Sequence, residues 1–412
     1  MKQDTAIHST RKLSFPSHLW LLMIGIVCIA STLRSPLTSV GPIIEQIREG
    51  TGISNLLAGF LTTIPLLAFA IISPFVPKIS RRFGLEKALF FSLCLLLSGT
   101  IIRSLGTTSL LLIGTFLIGI AIAFGNVLLP SLLKLSFPLH VGLMTGIYSM
   151  SMNISATLAS GVAVPIATET RFGWQGALGV WGILAFIAVL VWLPQLRHNQ
   201  NRAMPTTKKT MSKDTPLWRS PIAWSVTFFM GLQSLLFYTT SAWMPEVLKS
   251  DGLSAYRAGW MLSLLQFAQL PMTFIIPILA DKMKNQRVIV LGVVTLYVLG
   301  YGGVLVGGSA FTPLWMILIG VAGGASFGLA MMFFTLRTHT PQQAAELSGM
   351  AQSLGYALAA VGPVLFGSLH DVTGAWILPM TTLFIFIFLL LISGLNAGKD
   401  EFAFPSPGQI KS

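Results

Sequence analysis

The sequence predicts an all-α integral membrane protein with twelve transmembrane helices arranged as two six-helix repeats. Three observations lead to this prediction. The 412 residues are 53% hydrophobic and only 9% charged, whereas a soluble domain carries about 25% charged residues. Apolar runs long enough to cross a bilayer, about 20 residues each, recur along the whole chain. The second half also repeats residue types of the first half at a nearly constant distance.

Twelve apolar segments account for most of the chain, and short joints rich in Gly, Pro or charge separate them. The predicted spans are residues 18–44, 54–76, 86–105, 108–132, 140–167, 174–194, 220–248, 256–279, 287–308, 312–335, 345–368 and 374–396. One joint, residues 195–219, is long, polar and basic, and we interpret it as a linker. It divides the chain into an N-terminal six-helix half (residues 1–194) and a C-terminal half with a short tail (residues 220–412).

The repeat is visible in single residues. At an offset of 200 positions, Gly52, Ser54, Ala58, Gly59 and Pro77 recur as Gly252, Ser254, Ala258, Gly259 and Pro277. At an offset of 203 positions, Phe124, Gly125, Lys134, Pro138 and Gly146 recur as Phe327, Gly328, Arg337, Pro341 and Gly349. Two such halves are the plan of many secondary transporters, in which the substrate lies between the repeats.

Positive charge predicts the orientation. Most of the 26 Lys and Arg residues fall in alternate joints, on the side that also holds both termini and residues 195–219. Cytoplasmic loops are enriched in positive charge, so we expect a multi-pass protein of the cytoplasmic membrane with both termini inside the cell. This distribution explains the net charge of +13 without a nucleic-acid partner. The expected partners are the lipid bilayer and a small solute, and we expect a monomer.

Arg34 is the basic residue that this distribution does not explain. It lies 14 residues beyond Trp20, which at 1.5 Å per residue places it about 21 Å into the hydrocarbon region. No acidic residue is predicted at mid-membrane, and an arginine there is costly. Three interpretations are open: an anchor for an anionic solute, a structural role in capping carbonyls freed by Pro36 and Pro42 or in reaching the outer surface, and a role in gating.

Uncharged polar residues within the spans are sparse, and amide and phenol groups are suited to orienting a small polar solute. The alternative for each of them is a hydrogen bond between helices that serves packing alone. Together with Arg34, we predict a substrate site from Asn126, Tyr148, Asn153, Gln233, Tyr238, Gln266, Gln352 and Tyr356.

Two equivalent joints contain a predicted conformational latch. The first reads PKISRRFGLEK (residues 77–87) and the second reads PILADKMKNQR (residues 277–287). Asp281 can accept hydrogen bonds from a helix end or pair with an arginine, and Arg81 occupies the equivalent position in the first half. We predict that Arg81, Arg82, Asp281 and Lys282 hold one face closed; the alternative is an ordinary solvated basic loop.

The sequence gives no indication of catalysis. It has no phosphate-binding glycine loop, no metal-ligand spacing and no nucleophile beside a base. We therefore predict no enzyme activity, no catalytic residue, no metal and no cofactor.

The second joint, ADKMKNQR (residues 280–287), resembles the loop motif of the major facilitator superfamily, although Lys284 replaces the usual glycine and Arg81 replaces the acid of the first-half motif. Four segments resemble the cyanate permease and 2-nitroimidazole transporter family: LRSPLTSVGP (33–42), GNVLLPSLLKLSFP (125–138), GLQSLLFYTTSAWMPE (231–246) and ELSGMAQSLGYALAAVGPVLFGSLHDVTGAW (346–376). The resemblance implies a twelve-helix carrier that works by alternating access, active or facilitative, for a small anionic or polar solute such as a cyanate-like ion or a small heterocycle.

Two alternatives to this function are open. The apolar helices, rich in Phe and Met, would also suit an exporter of drugs or toxic heterocycles, although no deep acid for proton coupling is visible. A sensor without transport activity would usually carry a larger soluble domain than this chain has.

Overall fold

The computed structural model describes residues 17–53, 55–198, 217–306 and 311–404, and most of these residues are helical. The α-helices are α1 (Ser17–Thr32), α2 (Ser35–Thr38), α3 (Ile44–Thr51), α4 (Asn55–Ile72), α5 (Val76–Phe83), α6 (Leu85–Arg103), α7 (Thr108–Ser136), α8 (Val141–Glu169), α9 (Gly173–Gly179), α10 (Trp181–Trp192), α11 (Pro221–Ser250), α12 (Ala255–Lys282), α13 (Arg287–Val306), α14 (Thr312–Leu336), α15 (Pro341–Thr373) and α16 (Ile377–Ala397). Short 3₁₀ turns cover Gly41–Ile43, Leu193–His198 and Leu217–Arg219.

Within the described residues, eleven helical segments are long and apolar enough to cross a membrane. A twelfth span is bent by 62° between Phe60–Ile72 and Val76–Phe83. Pro74 lies in this break, where its ring and missing N–H prevent a continuous helix. The predicted all-α membrane fold with twelve spans is confirmed.

Parts of the predicted organisation lie outside the described residues: most of the linker (residues 199–216), Ser54 of the repeat, and the chain ends 1–16 and 405–412. The domain boundaries therefore stay a prediction. We refer to residues 17–198 as the N-terminal part and to residues 217–404 as the C-terminal part. The helix ends next to residues 199–216 define the linker face, and the opposite ends define the far face.

Several helix crossings join the parts, and two of them follow the sequence repeat. Helix α8 packs against α12, and α15 packs against α4 and α5. A glycine permits each approach: a Cβ on Gly146 would lie 2.7 Å from the Phe274 carbonyl oxygen, and one on Gly349 would lie 2.9 Å from the Ser73 carbonyl oxygen. Because Gly146 and Gly349 are equivalent in the repeat, each of these crossings depends on an equivalent glycine that lets the two helix backbones approach closely.

Candidate functional site

The first span is interrupted at Arg34. Helix α1 ends two residues before it, and α2 begins at Ser35 with Pro36 in its first turn. The Ser31 carbonyl accepts hydrogen bonds from the hydroxyls of Ser35 (2.9 Å) and Ser155 (2.7 Å). Side-chain hydroxyls thus donate to a backbone carbonyl at the break in the helix. Irregular backbone at membrane depth requires such partners, because no water is available there.

A buried arginine satisfies a second carbonyl of this break. In a continuous helix the Pro36 carbonyl would accept from the Val40 N–H, which here bonds the Leu37 carbonyl instead. The Pro36 carbonyl accepts from Nη1 of Arg103 (2.7 Å), whose Nη2 also donates to the Leu178 carbonyl (3.5 Å). Arg103 is the last residue of α6 and is fully buried, and its two acceptors lie on α2 and α9.

Arg34 lies between the N-terminal and C-terminal parts. Its Nη1 donates to Oδ1 of Asn153 on α8 (2.8 Å). Its Cζ lies 4.6 Å from the ring centre of Phe327 on α14 and 5.4 Å from that of Phe237 on α11. Among the described residues, no carboxylate oxygen lies within 4 Å of its nitrogens. One amide and two rings therefore hold this cation, and the remaining guanidinium donors have no protein acceptor within the described chain.

The three predicted tyrosines lie in the neighbourhood of the same guanidinium. Tyr148, Tyr238 and Tyr356 are each close enough to Arg34 for a direct electrostatic interaction. Tyr148 and Tyr356 are buried. The phenols come from α8, α11 and α15, so the structure brings together predicted site residues from both parts of the chain.

Asn126 and Gln352 form a direct contact between the parts. Nε2 of Gln352 donates to the Asn126 backbone carbonyl (2.8 Å) and to the hydroxyl of Ser348 (3.0 Å). Asn126 and Gln352 are 6% and 1% exposed. The Gln352 amide is thus engaged in holding α15 against α7.

Within the described structure, Gln233 and Gln266 make no hydrogen bond to Arg34 or between the two parts. Nε2 of Gln233 donates to the Met230 carbonyl (3.1 Å) and to the Ser234 hydroxyl (2.7 Å), both on its own helix. Gln266 on α12 is half-buried and makes no side-chain hydrogen bond to the part of the chain that the structure describes. Their proposed roles stay predictions without a geometric argument.

Lys134 ties the two parts together at the linker face. Its Nζ donates to the Thr335 carbonyl (2.6 Å), to the Thr338 hydroxyl (3.0 Å) and to the Thr338 carbonyl. The Ser131 hydroxyl, one turn earlier on α7, donates to the Pro341 carbonyl (2.7 Å). These contacts fasten the last turns of α7 to the segment between α14 and α15.

Asp281 and Arg81 contribute further contacts between the parts. Oδ2 of Asp281 accepts from the Gly142 N–H (3.0 Å), an N–H in the first turn of α8 that has no partner within its own helix. Nη1 of Arg81 lies 3.2 Å from Oε1 of Glu346 on α15. The structure thus places both residues in contact with the other part of the chain, as a latch would require.

Arg82 and Lys282, the other predicted latch residues, make no such contact in the described structure. The guanidinium of Arg82 lies 5.4 Å from the ring centre of Phe83, its own neighbour, and Lys282 is exposed.

Arg337, the repeat equivalent of Lys134, stays within the C-terminal part. Its Nε donates to the Ala397 carbonyl (2.7 Å), and its Nη2 donates to Oε1 of Gln286. Burial lowers the pKa of Arg337 to about 10, although Asp400 and Glu401 nearby act in the opposite direction.

Sequence reasoning missed the two phenylalanines beside Arg34, the burial of Arg103 and the crossing made by Lys134. Phe327 could have been found, since the repeat aligns it with Phe124 and singles it out among the apolar residues. Nothing comparable distinguishes Phe237. Among the described residues, no group of three His, Cys, Asp or Glu could hold a metal ion.

Comparisons with known proteins agree with this architecture. The family model described as Major Facilitator Superfamily matches residues 20–367. The chain is 49% identical over 395 residues to the "Uncharacterized transporter YycB" of Bacillus subtilis (strain 168), covering 95% of this chain and 97% of that protein. It is 42% identical over 381 residues to the 2-nitroimidazole transporter of Escherichia coli (strain K12), covering 92% and 96%, and 24% identical over 358 residues to the cyanate transport protein of the same organism, covering 87% and 92%.

Among solved structures, the proton:xylose symporter XylE superposes with a TM-score of 0.76 at 14% identity, covering 94% of this chain and 98% of that one. The Escherichia coli fucose:proton symporter superposes with a TM-score of 0.69 at 11% identity, covering 91% and 98%. At these identities the likeness concerns the fold.

Proposed function

The chain belongs to the Major Facilitator Superfamily, as a transporter of the cyanate and 2-nitroimidazole type, and from this premise we propose that it carries a small anionic or strongly polar solute bound at Arg34. It is a transporter of small solutes and not an enzyme.

The guanidinium of Arg34 is the observation that carries this proposal. Only one of its donors has a partner in the described structure, and that partner is the neutral Asn153 amide. A guanidinium offers a planar fork of donors that matches a carboxylate, a nitro group or a similar planar acceptor. The charge stays without a protein counter-ion among the described residues, so an anion that enters the site would supply it.

The names of the relatives agree with such a solute. 2-Nitroimidazole carries a planar nitro group, and cyanate is a small anion. A more distant relative, 23% identical, is named as a probable nitrate transporter of Staphylococcus haemolyticus. These solutes share a compact group of electronegative atoms. A guanidinium flanked by aromatic rings can donate hydrogen bonds to such a group.

The contacts between the parts support a mechanism of alternating access. The hydrogen bonds that join the parts lie between the linker face and the level of Tyr148, in the residues that the structure describes. This arrangement closes the path to the linker face. We infer that the solute reaches Arg34 from the far face, and that rocking of the parts then releases it at the linker face.

The positive charge of the joints supports a cytoplasmic linker face, with both termini inside the cell. Under that orientation the contacts at the linker face close the carrier toward the cytoplasm.

Uptake and binding in proteoliposomes test the proposal. Parent, Arg34→Ala and Arg34→Lys are compared with cyanate, nitrate and 2-nitroimidazole as solutes. Removing one partner of a buried charge pair costs about 2–5 kcal/mol, so affinity should fall at least about 30-fold in Arg34→Ala. Lysine should restore only part of it, because it lacks the planar fork. Arg171→Ala is the matched control, since Arg171 is exposed and contacts its neighbour Phe172. Unchanged affinity in Arg34→Ala for every solute would refute the proposal.

Export of nitroaromatic or other heterocyclic compounds is the second candidate. The rings of Phe237 and Phe327 at the site favour a flat solute, and the 42% identity to a 2-nitroimidazole transporter supports it. A strain that overproduces the protein would then tolerate more 2-nitroimidazole than a deletion strain. Greater sensitivity on overproduction would indicate uptake.

A further inference from the structure

A small cavity lies beside the Arg34 site, between α11, α12, α13 and α14. It has room for about one water-sized group. Its lining includes Phe237, Thr240, Gln269, Tyr297, Tyr301 and Gly323. None of its lining residues is charged, so the cavity differs from the Arg34 site in chemical character.

Gln269 is the residue that points to a ligand. Its side chain lines the cavity and is only 4% exposed. Its side chain makes no hydrogen bond among the described residues, and its amide atoms are not fully enclosed by protein, so the amide is open to the cavity. An amide in such a place is usually paired with a water or with a polar group of a ligand.

The tyrosines of the cavity contribute acceptors. The Ser326 hydroxyl donates to the Gly323 carbonyl (3.0 Å), so the hydroxyl of Tyr297, 3.1 Å away, is the donor between these two residues. The Tyr297 oxygen therefore keeps a lone pair for the cavity. The hydroxyls of Thr240 and Tyr301 lie 2.6 Å apart and bond each other. With the Gln269 amide, the cavity offers both donors and acceptors to one small neutral group.

Phe237 connects this cavity to the Arg34 site. Its ring borders the cavity, and the ring centre lies 5.4 Å from Cζ of Arg34. A solute bound by Arg34 at one end would need to extend past a single ring to reach Gln269 at the other. Phe237 thus neighbours both the positive charge and the neutral hydrogen-bonding groups of the cavity.

We propose that this cavity is a second subsite, which binds a neutral hydrogen-bonding group of the solute whose anionic or nitro group lies at Arg34. The group is a hydroxyl, an amino group or a ring N–H. This inference rests on the proposed function, because it takes Arg34 as the anchor of the same solute. A second charge is excluded, since the cavity has no counter-charge to offset the loss of hydration.

Matched pairs of solutes test the subsite: 4-hydroxybenzoate against benzoate, 3-hydroxybenzoate against benzoate, and 2-nitroimidazole against its 1-methyl derivative. Binding is measured by isothermal titration to the purified full chain. In the parent, the hydrogen-bonding member of at least one pair should bind about three- to tenfold more tightly, the range of one net hydrogen bond.

Two variants should remove that preference. Gln269→Leu deletes the amide at similar volume. Gly323→Ala places a methyl group in the cavity at ordinary contact distances, 3.6 Å from the Tyr297 hydroxyl and 4.0 Å from Cδ of Gln269, so it should fold normally. Gly302→Ala is the matched control, because its methyl group would meet only Cζ of Phe384, at 4.0 Å, and it should keep the preference.

In both variants, affinity for the member without the hydrogen-bonding group should stay within about twofold of the parent. Arg34→Ala should weaken both members of the pair alike. Absence of any preference in the parent, or a preference that survives both Gln269→Leu and Gly323→Ala, would overturn the subsite. If Arg34→Ala still lowers affinity in that case, the subsite fails and the proposed function stands; if Arg34→Ala has no effect, the proposed function fails as well.

Discussion

Lys134 should be the strongest single polar contact that keeps the linker face closed, and Lys134→Met should open it. The substitution keeps a long apolar stem and removes the ammonium group. Its Nζ donates to two carbonyls and one hydroxyl of the C-terminal part. These bonds cross between the parts, so they can form only while the linker face is closed.

The magnitude follows from burial and from the number of bonds. Hydrogen bonds to charged groups contribute about 1.5–3 kcal/mol each, and desolvation of the half-buried ammonium offsets part of the sum. A net loss of about 2–4 kcal/mol corresponds to a shift of about 30- to 700-fold toward the open linker face. The Arg81–Glu346 pair has side chains that are 40% and 31% exposed. Such pairs contribute about 0.2–1 kcal/mol, so Arg81→Ala should shift the equilibrium by no more than about fivefold.

Distances between spin labels measure this equilibrium. Labels are placed at Lys87→Cys and Lys284→Cys, which are exposed near the linker face in different parts, after Cys28 and Cys94 have been replaced by Ala. Lys134→Met should populate a longer distance that is minor in the parent. A shift in Arg81→Ala equal to or larger than that in Lys134→Met would refute the assignment of the main contact to Lys134.

Two further predictions concern close packing. Gly142→Ala should disfavour the closed linker face, because its Cβ would lie 2.4 Å from Cβ of Asp281; Gly161→Ala on the same helix has open space and should leave the label distances unchanged. Arg103→Met should lower thermal stability, since the buried Pro36 carbonyl would keep only its long hydrogen bond from the Ser39 hydroxyl (3.4 Å), and an unsatisfied buried acceptor costs about 1–3 kcal/mol. It should also weaken solute binding, with partial rescue by Arg103→Lys; stability loss with unchanged affinity would separate Arg103 from the Arg34 site.

Spans and glycine contacts were the most predictable features of this molecule. An apolar run of about 20 residues has few alternatives to a transmembrane helix, and Gly146 and Gly349 were recognisable because both halves retain them. The depth of Arg34 followed from counting residues along a helix. Such a count gives no indication of the burial of Arg103, which ends its helix and yet is fully buried. A position along the chain gives depth in the membrane, but it does not indicate which other segments cover that end.

The rotation of each helix was the second quantity that the sequence left open. Hydrophobic periodicity identifies an outward face only when the helix has one polar and one apolar side, and these spans are apolar almost all round. Gln233 was therefore predicted as a site residue, although its side chain bonds within its own helix. Gln269 received no role, although it lines the cavity beside Phe237.

The repeat also explains why the two parts hold the linker face by different chemistry. Lys134 and Arg337 are equivalent in sequence, yet Lys134 bonds across to the other part while Arg337 bonds within its own. Similarly, Asp281 accepts from a helix N–H, whereas Arg81 at the equivalent position pairs with Glu346. The loss of the acid in the first half is thus matched by an acid on the opposing helix. Arg81 and Asp281 are both exposed, so salt screens their contacts, whereas the half-buried ammonium of Lys134 is screened less. An ordered opening, in which the Arg81 and Asp281 contacts loosen before those of Lys134, follows from this difference.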